Sequence, residues 1–383
     1  MRSGAQAHPP PRIAVVADAQ GRRLFIRLPY RLYRDDPCWV PPLENERKAF
    51  LNPRRNPFFE FGEAMLFLAY RGKEITGRVA AISNPRHNTH HGSSDGFFGL
   101  FECTDDPDAA QALFEAAAGW LRARGLTSVI GPVSFSTNGE CGTLVEGFSS
   151  PPTILTPYNP PYHAELLGSC GFAKAKDLWA WEWTPDAVTD EAVTRLAEHT
   201  AHRRCVRVRS LDMRDFAAEV PRLREIYNSA WERNWGFVPA TEREFGHLAA
   251  QLRRIVRPEL ALLAEVDGDP AAFCLTVPDA NQALLAVGGR LTRLGVPVGL
   301  FRAARAAKST NRCRLIAMGV KRKYRYQGLD ALLCTRSIQA VRRLGYASCE
   351  ISWVLEDNEP VTRAVTRMGG QRSKTYRIYQ RPL

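Results

Sequence analysis

The stretch VKRKYRYQGLDALL, Val320 to Leu333, decides the reading of this chain. Ahead of it, Leu315 to Val320 is a short apolar run, as a buried strand is; behind it, Leu329 to Leu344 carries helical spacing and is closed by Gly345. Between the two, Arg325, Tyr326, Gln327 and Gly328 form a turn that delivers the chain to a helix N-terminus. The first N–H groups of a helix have no internal acceptor, and the helix dipole adds partial positive charge at the same end. With Lys321, Arg322, Lys323 and Arg325 alongside, these groups make a site suited to a pyrophosphate. Gly328 lets the backbone come close to such a ligand.

Charge widens the argument. From Arg302 to Arg343 there are twelve Lys or Arg against one acid, Asp330, so this segment's net +11 nearly equals the +12 of the whole chain. Nucleotide phosphates, nucleic acid or an anionic membrane surface would answer such a field; so would plain water around a solvated helix face and a basic loop. Nucleic acid fits least, since no reading helix or aromatic platform accompanies the charge. Directly ahead lies LGVPVGLF, Leu294 to Phe301, and an apolar loop beside a cationic one is how a lipid-facing surface reads.

Further out, apolar runs bounded by turn residues predict strands at Ala64 to Tyr70, Ile75 to Ile82, Gly96 to Glu102 and Ser128 to Ile130. A helix from Ala109 to Arg124 has Leu113, Ala117, Trp120 and Leu121 on one face, with Pro107 and Gly125 as punctuation. A short helix after Pro161 leads to a strand whose period of two aligns Trp179, Trp181 and Trp183, a stripe suited to core packing. Thr184 to Thr200 turns polar and marks a junction, giving domains 1–190 and 191–383. After it come helices near Phe216 to Trp235 and Thr241 to Val256, and strands at Leu260 to Val266 and Ala271 to Val277. The strand and helix around the opening stretch follow. A strand from Ala347 to Val354, a helix from about Pro360 and a strand at Thr375 to Gln380 end the chain. The order strand, turn, helix, strand, helix, strand thus occurs twice.

The turn resembles that of the GCN5-related N-acetyltransferases, which reads Arg or Gln, two residues, Gly, one residue, Gly or Ala. Arg325 and Gly328 match; Asp330 departs, and its charge opposes a phosphate unless it caps the helix. Asn358 followed by Met368, Gly369 and Gly370 looks like the family's next helix, and Asn159 with Cys170, Gly171 and Phe172 like its counterpart in the first half. The resemblance covers roughly Glu63 to Trp183 and Arg222 to Gln380. It implies an α/β fold of two tandem acyl-CoA N-acyltransferase (GNAT-like) domains, each a mixed central sheet flanked by helices. It also implies acyl-coenzyme A as co-substrate, no metal, and a coenzyme A site drawn from Val320, Arg322, Arg325, Tyr326, Gln327, Gly328, Leu329, Asp330 and Asn358. In the first half the corresponding turn holds Glu102, Asp105, Asp106 and Asp108, which would repel a pyrophosphate. One coenzyme A per chain is expected, in the C-terminal domain, with the N-terminal domain degenerate.

Acyl transfer to an amine needs a base for the amine, a polarised carbonyl and a proton for the leaving thiolate. The family's Tyr, seven or eight residues after the helix-opening Asn, is here Val365 or Thr366; Tyr376, Tyr379 or water must substitute. Glu350 is the strongest candidate base, because a carboxylate in the middle of the apolar strand CEISW has a desolvation cost to offset. Asp279, in VPDAN, is a second, and Glu356 and Asp357 read equally well as helix caps. Candidate acceptor ligands are Asn281, Trp235 in WERNWGFVP, and Asn138 and Glu140 in GPVSFSTNGECGTLVEGF, a segment that also reads as a surface loop with an Asn-Gly turn. Cys141 lacks a paired His, and His87, His90 and His91 read as a solvated loop.

At 383 residues and 45% hydrophobic the chain can bury a substantial core, and no run of about 18 apolar residues predicts a membrane span. Met1 to Arg12 lacks a signal-peptide core, and nine cysteines without a CxxC pair suit reduced thiols and a cytoplasmic setting, with any membrane contact peripheral and anionic. The segments WERNWGFVP, VPDAN, EISWVLEDN and KTYRIY further resemble a tandem-domain bacterial branch, some of whose relatives form ceramides; that resemblance suggests a long-chain, sphingoid-type amine as acceptor. Short-chain acetylation of a small molecule or protein, and a coenzyme A-binding protein without catalysis, are the competing readings.

Overall fold

A computed structural model describes residues 10–291 and 298–383. Leu294 to Pro297, the start of the apolar run noted above, lie outside the described residues.

The first compact unit comprises Met1–Pro151, Thr156–Asp177 and Tyr376–Leu383. Its elements are β1 (Arg12–Val15), α1 (Ala19–Leu32), α2 (Glu44–Phe50), β2 (Glu63–Arg71), β3 (Glu74–Ser83), α3 (Pro85–His91), β4 (Asp95–Cys103), α4 (Pro107–Arg122), β5 (Ser128–Gly131), β6 (Val133–Ser134), β7 (Ser136–Cys141), β8 (Thr143–Glu146), α5 (Tyr162–Ser169) and the start of β9 (Ala173–Trp183). β1 to β4 run antiparallel in sequence order, and β5 lies parallel to β4, as a crossover through a helix requires. That helix is α4. Its Ala110, Leu113, Phe114, Ala117 and Leu121 are buried against Val79, Phe98 and Phe67. The Leu and Phe side chains among these each contribute roughly 1.5–3 kcal/mol on burial, so the predicted stripe fixes the face of the sheet that α4 covers.

The second unit comprises Pro152–Leu155 and Leu178–Thr375. After β9 come α6 (Glu191–Ala201), β10 (Val206–Ser210), α7 (Phe216–Trp231), α8 (Glu242–Leu252), β11 (Ala261–Val266), β12 (Asp269–Pro278), α9 (Asn281–Leu285), α10 (Val298–Ala307), β13 (Arg312–Val320), α11 (Leu329–Arg343), β14 (Ser348–Leu355), α12 (Glu359–Arg367) and β15 (Gln371–Pro382). β10 to β13 are again an antiparallel series, and β14 is parallel to β13 across the α11 crossover. Leu329 and Leu333 of α11 pack on Leu262, Ala264 and Ala272. On the other face Leu223 and Ile226 of α7 pack on Leu263 and Phe273. Trp183 and Trp181 are buried in the second unit, where the Trp183 indole donates to Met368 O at 3.0 Å.

The units are not successive halves of the chain. β9 starts in the first and ends in the second, where its Leu178–Trp183 portion pairs with β14; β15 starts in the second and ends in the first, where Tyr379 pairs with Gly131 of β5. Residue 190, the expected boundary, is the N-cap of α6 inside the second unit.

Two local readings are corrected. His87, His90 and His91 form helix α3 rather than a solvated loop: Asn84 caps it, Pro85 opens it, left-handed Gly92 closes it, and His87 is buried. Gly131 to Phe148 is built of short strands, with Asn138 and Gly139 inside β7; the reversal falls at Phe135, whose φ of 68° is held by stacking on Phe50 and Phe58.

Candidate active site

β13 and β14 share a register over Arg312–Leu315 and Ser348–Ile351, and there it stops, although β13 continues to Val320 and β14 to Leu355. The cause is on the other edge of β13. Thr276 pairs with Leu315 but Leu275 with Ala317, so Ile316 is an extra residue, a bulge that bends the strand. β14 meanwhile resumes its pairing with β9 at Val354 and Trp179. The parallel strands therefore diverge just ahead of the turn that leads into α11.

That turn is organised by acids distant in sequence. Lys321 is buried and contacts Glu225 at 2.7 Å and Asp269 at 3.3 Å; Lys323 reaches Asp269 at 2.7 Å, and the Tyr324 hydroxyl donates to it at 2.8 Å. Hydrogen bonds from Lys323, Tyr324 and Lys321 hold the Asp269 carboxyl down at about 2. Arg325 donates to the carbonyls of Ser229 and Ala230 at the end of α7, and Arg322 lies 3.9 Å from Glu232. Much of the positive charge noted in the sequence thus shapes the turn. Tyr326 is fully exposed with φ 63°, and Arg203 donates to both the carbonyl and side-chain oxygens of Gln327.

Gly328, at φ 78°, is the N-cap of α11 and makes no side-chain cap bond. The first helical amide to bond back is Leu332, to Gly328 O at 3.0 Å, so the N–H groups of Leu329, Asp330 and Ala331 have no partner in the helical ladder. A Cβ at 328 would stand 2.3 Å from Thr200 Oγ1 and 3.2 Å from Leu196 on α6. The glycine is therefore demanded by its left-handed backbone and by α6, a reason the sequence did not disclose. Asp330 is exposed in the first turn, Val320 pairs with Ala272, and Asn358 caps α12 by accepting from Val361 N at 3.3 Å.

At the last rungs before the divergence, Arg314 pairs with Glu350. Glu350 is buried, and its Oε1 accepts from Thr153 at 2.6 Å and from Ser352 at 2.7 Å. Arg314 in turn donates to Ser352 Oγ at 2.8 Å and to Ile154 O at 2.6 Å. Asp279 accepts from Arg312 Nε and Nη2 at 2.8 and 2.7 Å, from Ile154 N at 2.8 Å and from Asn281 N at 3.2 Å. Burial raises its pKa against the pull of Arg312. To act as a base it would have to surrender one of those donors. Asn281 is buried and donates to Pro152 O at 2.9 Å. Pro152–Leu155, which sequence reasoning overlooked, is thus the centre of the network; the lone polar side chain of Thr153 among apolar neighbours was its only signal.

The other candidates lie elsewhere. Trp235 sits half-buried in the turn after α7, and Trp231, partly buried, packs over Gly319 and lies tilted against Phe273 at the edge of the core. In the first unit Glu140 pairs with Arg47 at 3.0 Å, Asn138 lies on β7, and Tyr376 is fully buried with Gly142 against its Cβ. Asp106 caps α4 through Ala109 N and is gripped by Arg71 at 2.6 and 2.7 Å, while Asp108 meets the same arginine at 3.1 Å. Glu102, hydrogen-bonded by Tyr33 and paired with Arg78, is lifted by burial to about 7.

Two antiparallel series, each followed by a helix crossover to a parallel strand, define the tandem GCN5-related N-acetyltransferase fold. Solved structures agree. A tandem GNAT protein from the clavulanic acid biosynthesis pathway superposes with a TM-score of 0.56 at 12% identity, covering 97% of this chain and 98% of that one. A GCN5-related N-acetyltransferase from Sphaerobacter thermophilus gives 0.53 at 15% identity, covering 97% and 95%. No family model matches the chain. A relative from Caulobacter vibrioides (strain NA1000 / CB15N), "Bacterial ceramide synthase", is 38% identical over 376 residues, 97% of each chain, and "Protein YghO" of Escherichia coli (strain K12) is 34% identical over 367 residues, 94% of this chain and 93% of that one. The chain belongs to the family of these two proteins. Among the described residues no helix is long and apolar enough to cross a membrane.

Proposed function

We propose that the chain is an acyl-coenzyme A-dependent N-acyltransferase whose acceptor is a long-chain, sphingoid-type amine. The observation that carries the proposal is the divergence of β13 from β14 beside an α11 N-terminus with no side-chain cap. The name of the Caulobacter relative supports the acceptor class. In this reading the N–H groups of Leu329, Asp330 and Ala331 meet the pyrophosphate, and backbone groups of Ile316 to Val320 meet the pantetheine arm. The amine nitrogen attacks the thioester carbonyl carbon; a C–N bond forms, the C–S bond breaks, and coenzyme A leaves as a thiolate that water protonates. Glu350 accepts the proton the amine loses, positioned by Thr153 and Ser352. Asp279, Arg312 and Asn281 clamp the Pro152–Leu155 segment that carries Thr153.

The test is thiol release with a sphingoid base and acyl-coenzyme A of increasing chain length, with the amide product identified by mass. Turnover should favour long chains, and Glu350→Gln should lower kcat at least about 100-fold with coenzyme A affinity unchanged. Coenzyme A binding without turnover would make the chain a binding protein; preference for acetyl groups and small soluble amines would make it a simple acetyltransferase.

A further inference from the structure

The connection from β12 to β13, Asp279 to Asn311, is far longer than an antiparallel pair needs, and α10 within it is used by nothing in the proposed chemistry. One face of α10 is made of small residues: Gly299 is buried, Ala303 and Ala306 are half-buried, and a Cβ at 299 would stand 2.3 Å from Arg290 O. The rest of the helix faces out. Its first turn exposes Val298, Leu300 at 55% and Phe301 at 72%, and Leu285 of the neighbouring α9 is exposed as well. Arg302, Arg305 and Lys308 follow at intervals of three on the outward side, and among the described residues none of them has an ion-pair partner. No Asp or Glu occurs from Ala280 to Leu329.

We propose that α10 is a docking element for an anionic lipid bilayer. The large apolar side chains lead, Arg302 and Arg305 follow within a helix about 15 Å long, and Lys308 stands just past its end. Lying in the interface, such a helix buries Leu300 and Phe301 below the headgroups while Arg302, Arg305 and Lys308 meet lipid phosphates. The acid-free stretch from Ala280 to Leu329 selects the occupant. A second copy of the chain would bring the same positive charge against itself, and a nucleic acid would answer the cations but leave Leu300 and Phe301 in water. The inference goes beyond the proposed activity, and its readout needs no substrate or turnover, so the two fail separately.

The experiment is co-flotation of the full chain with phosphatidylcholine vesicles and with phosphatidylcholine–phosphatidylglycerol vesicles. Binding should appear only with phosphatidylglycerol and decline as salt is raised. The combined change Arg302→Glu, Arg305→Glu, Lys308→Glu should lower partitioning by about 100-fold or more, at about five-fold per cation lost. Leu300→Ser with Phe301→Ser should weaken the same binding while leaving its salt dependence in place. Salt titration of the unaltered chain gives the electrostatic answer without any variant. Absence of binding to phosphatidylglycerol vesicles, equal binding to neutral ones, or a triple variant that floats like the parent would overturn the proposal, as would RNA binding lost on charge reversal while vesicle binding persists.

Discussion

The two strand-to-helix turns, β4 into α4 and β13 into α11, sit at the same place in the same topology and are finished in opposite ways. In the first, Asp106 caps the helix and Arg71 holds Asp106 and Asp108 across it, so the helix N-terminus is closed by the chain's own carboxylates. In the second, Gly328 supplies the backbone turn but no side-chain acceptor, Asp330 in the first turn is exposed and makes no cap bond, and Asp269 and Glu225 are occupied by Lys321 and Lys323 below the turn. A helix start with an internal anion has no need of an external one. Sharing a fold does not therefore imply sharing a site.

Gly328→Val should produce the largest effect on this contrast. It forces a β-branched residue into the left-handed region and against Thr200, and the two penalties together should destabilise the second unit by about 3 kcal/mol in urea unfolding, with coenzyme A binding lost. A smaller loss is expected from Asp106→Asn, which keeps a capping side chain but removes the charge that Arg71 holds. Hydrogen bonding from Arg71 depresses the folded pKa of Asp106, so its contribution is present above the unfolded value and is lost as pH falls through the folded one. The variant's melting temperature should trail the parent's near neutrality and converge on it below about pH 4.

Glu102, at the end of β4, has the opposite sign. Its folded pKa of about 7 lies above the ordinary carboxyl value of 4.5, so the folded protein keeps a proton that the unfolded chain releases, and stability falls as pH rises through that window. Glu102→Gln should flatten this slope, gaining on the parent steadily from acid to neutral pH; melting curves across the window check it. The smallest expected change belongs to Asp330→Asn. Removing one negative charge from the first turn of α11 should raise coenzyme A affinity by about two- to five-fold in calorimetry, while costing the helix a favourable dipole contact of similar size.

Both units' strands and main helices were legible because their signals are local: the Leu113, Ala117 and Leu121 spacing, the terminal Gly125 and Gly345, and the apolar run into Val320 all lie within a few residues of what they specify. The His87 helix has equally local signals in Asn84, Pro85 and Gly92, but it is only seven residues long and its three histidines are not strong helix formers. No element was read before Ala64, where α1 carries an internal Pro29 and β1 is four residues long. The rest depends on partners far along the chain. The exchange of β9 and β15 between units has no local signature, nor does the occupation of Lys321 by Glu225, almost a hundred residues upstream. For the candidate site, the turn and Glu350 stood out by composition. The bulge at Ile316, which parts β13 from β14, is a matter of register and cannot be read from residue types.

Of the two strand-to-helix turns, only the one that opens α11 leaves its helix N-terminus without a side-chain cap, free to receive a phosphate. Backbone hydrogen exchange of the full chain with and without coenzyme A tests it most directly. With coenzyme A bound, exchange should slow across Lys321 to Leu333 and stay unchanged across Cys103 to Leu113; protection across Cys103 to Leu113, or unchanged exchange across Lys321 to Leu333, would overturn the assignment.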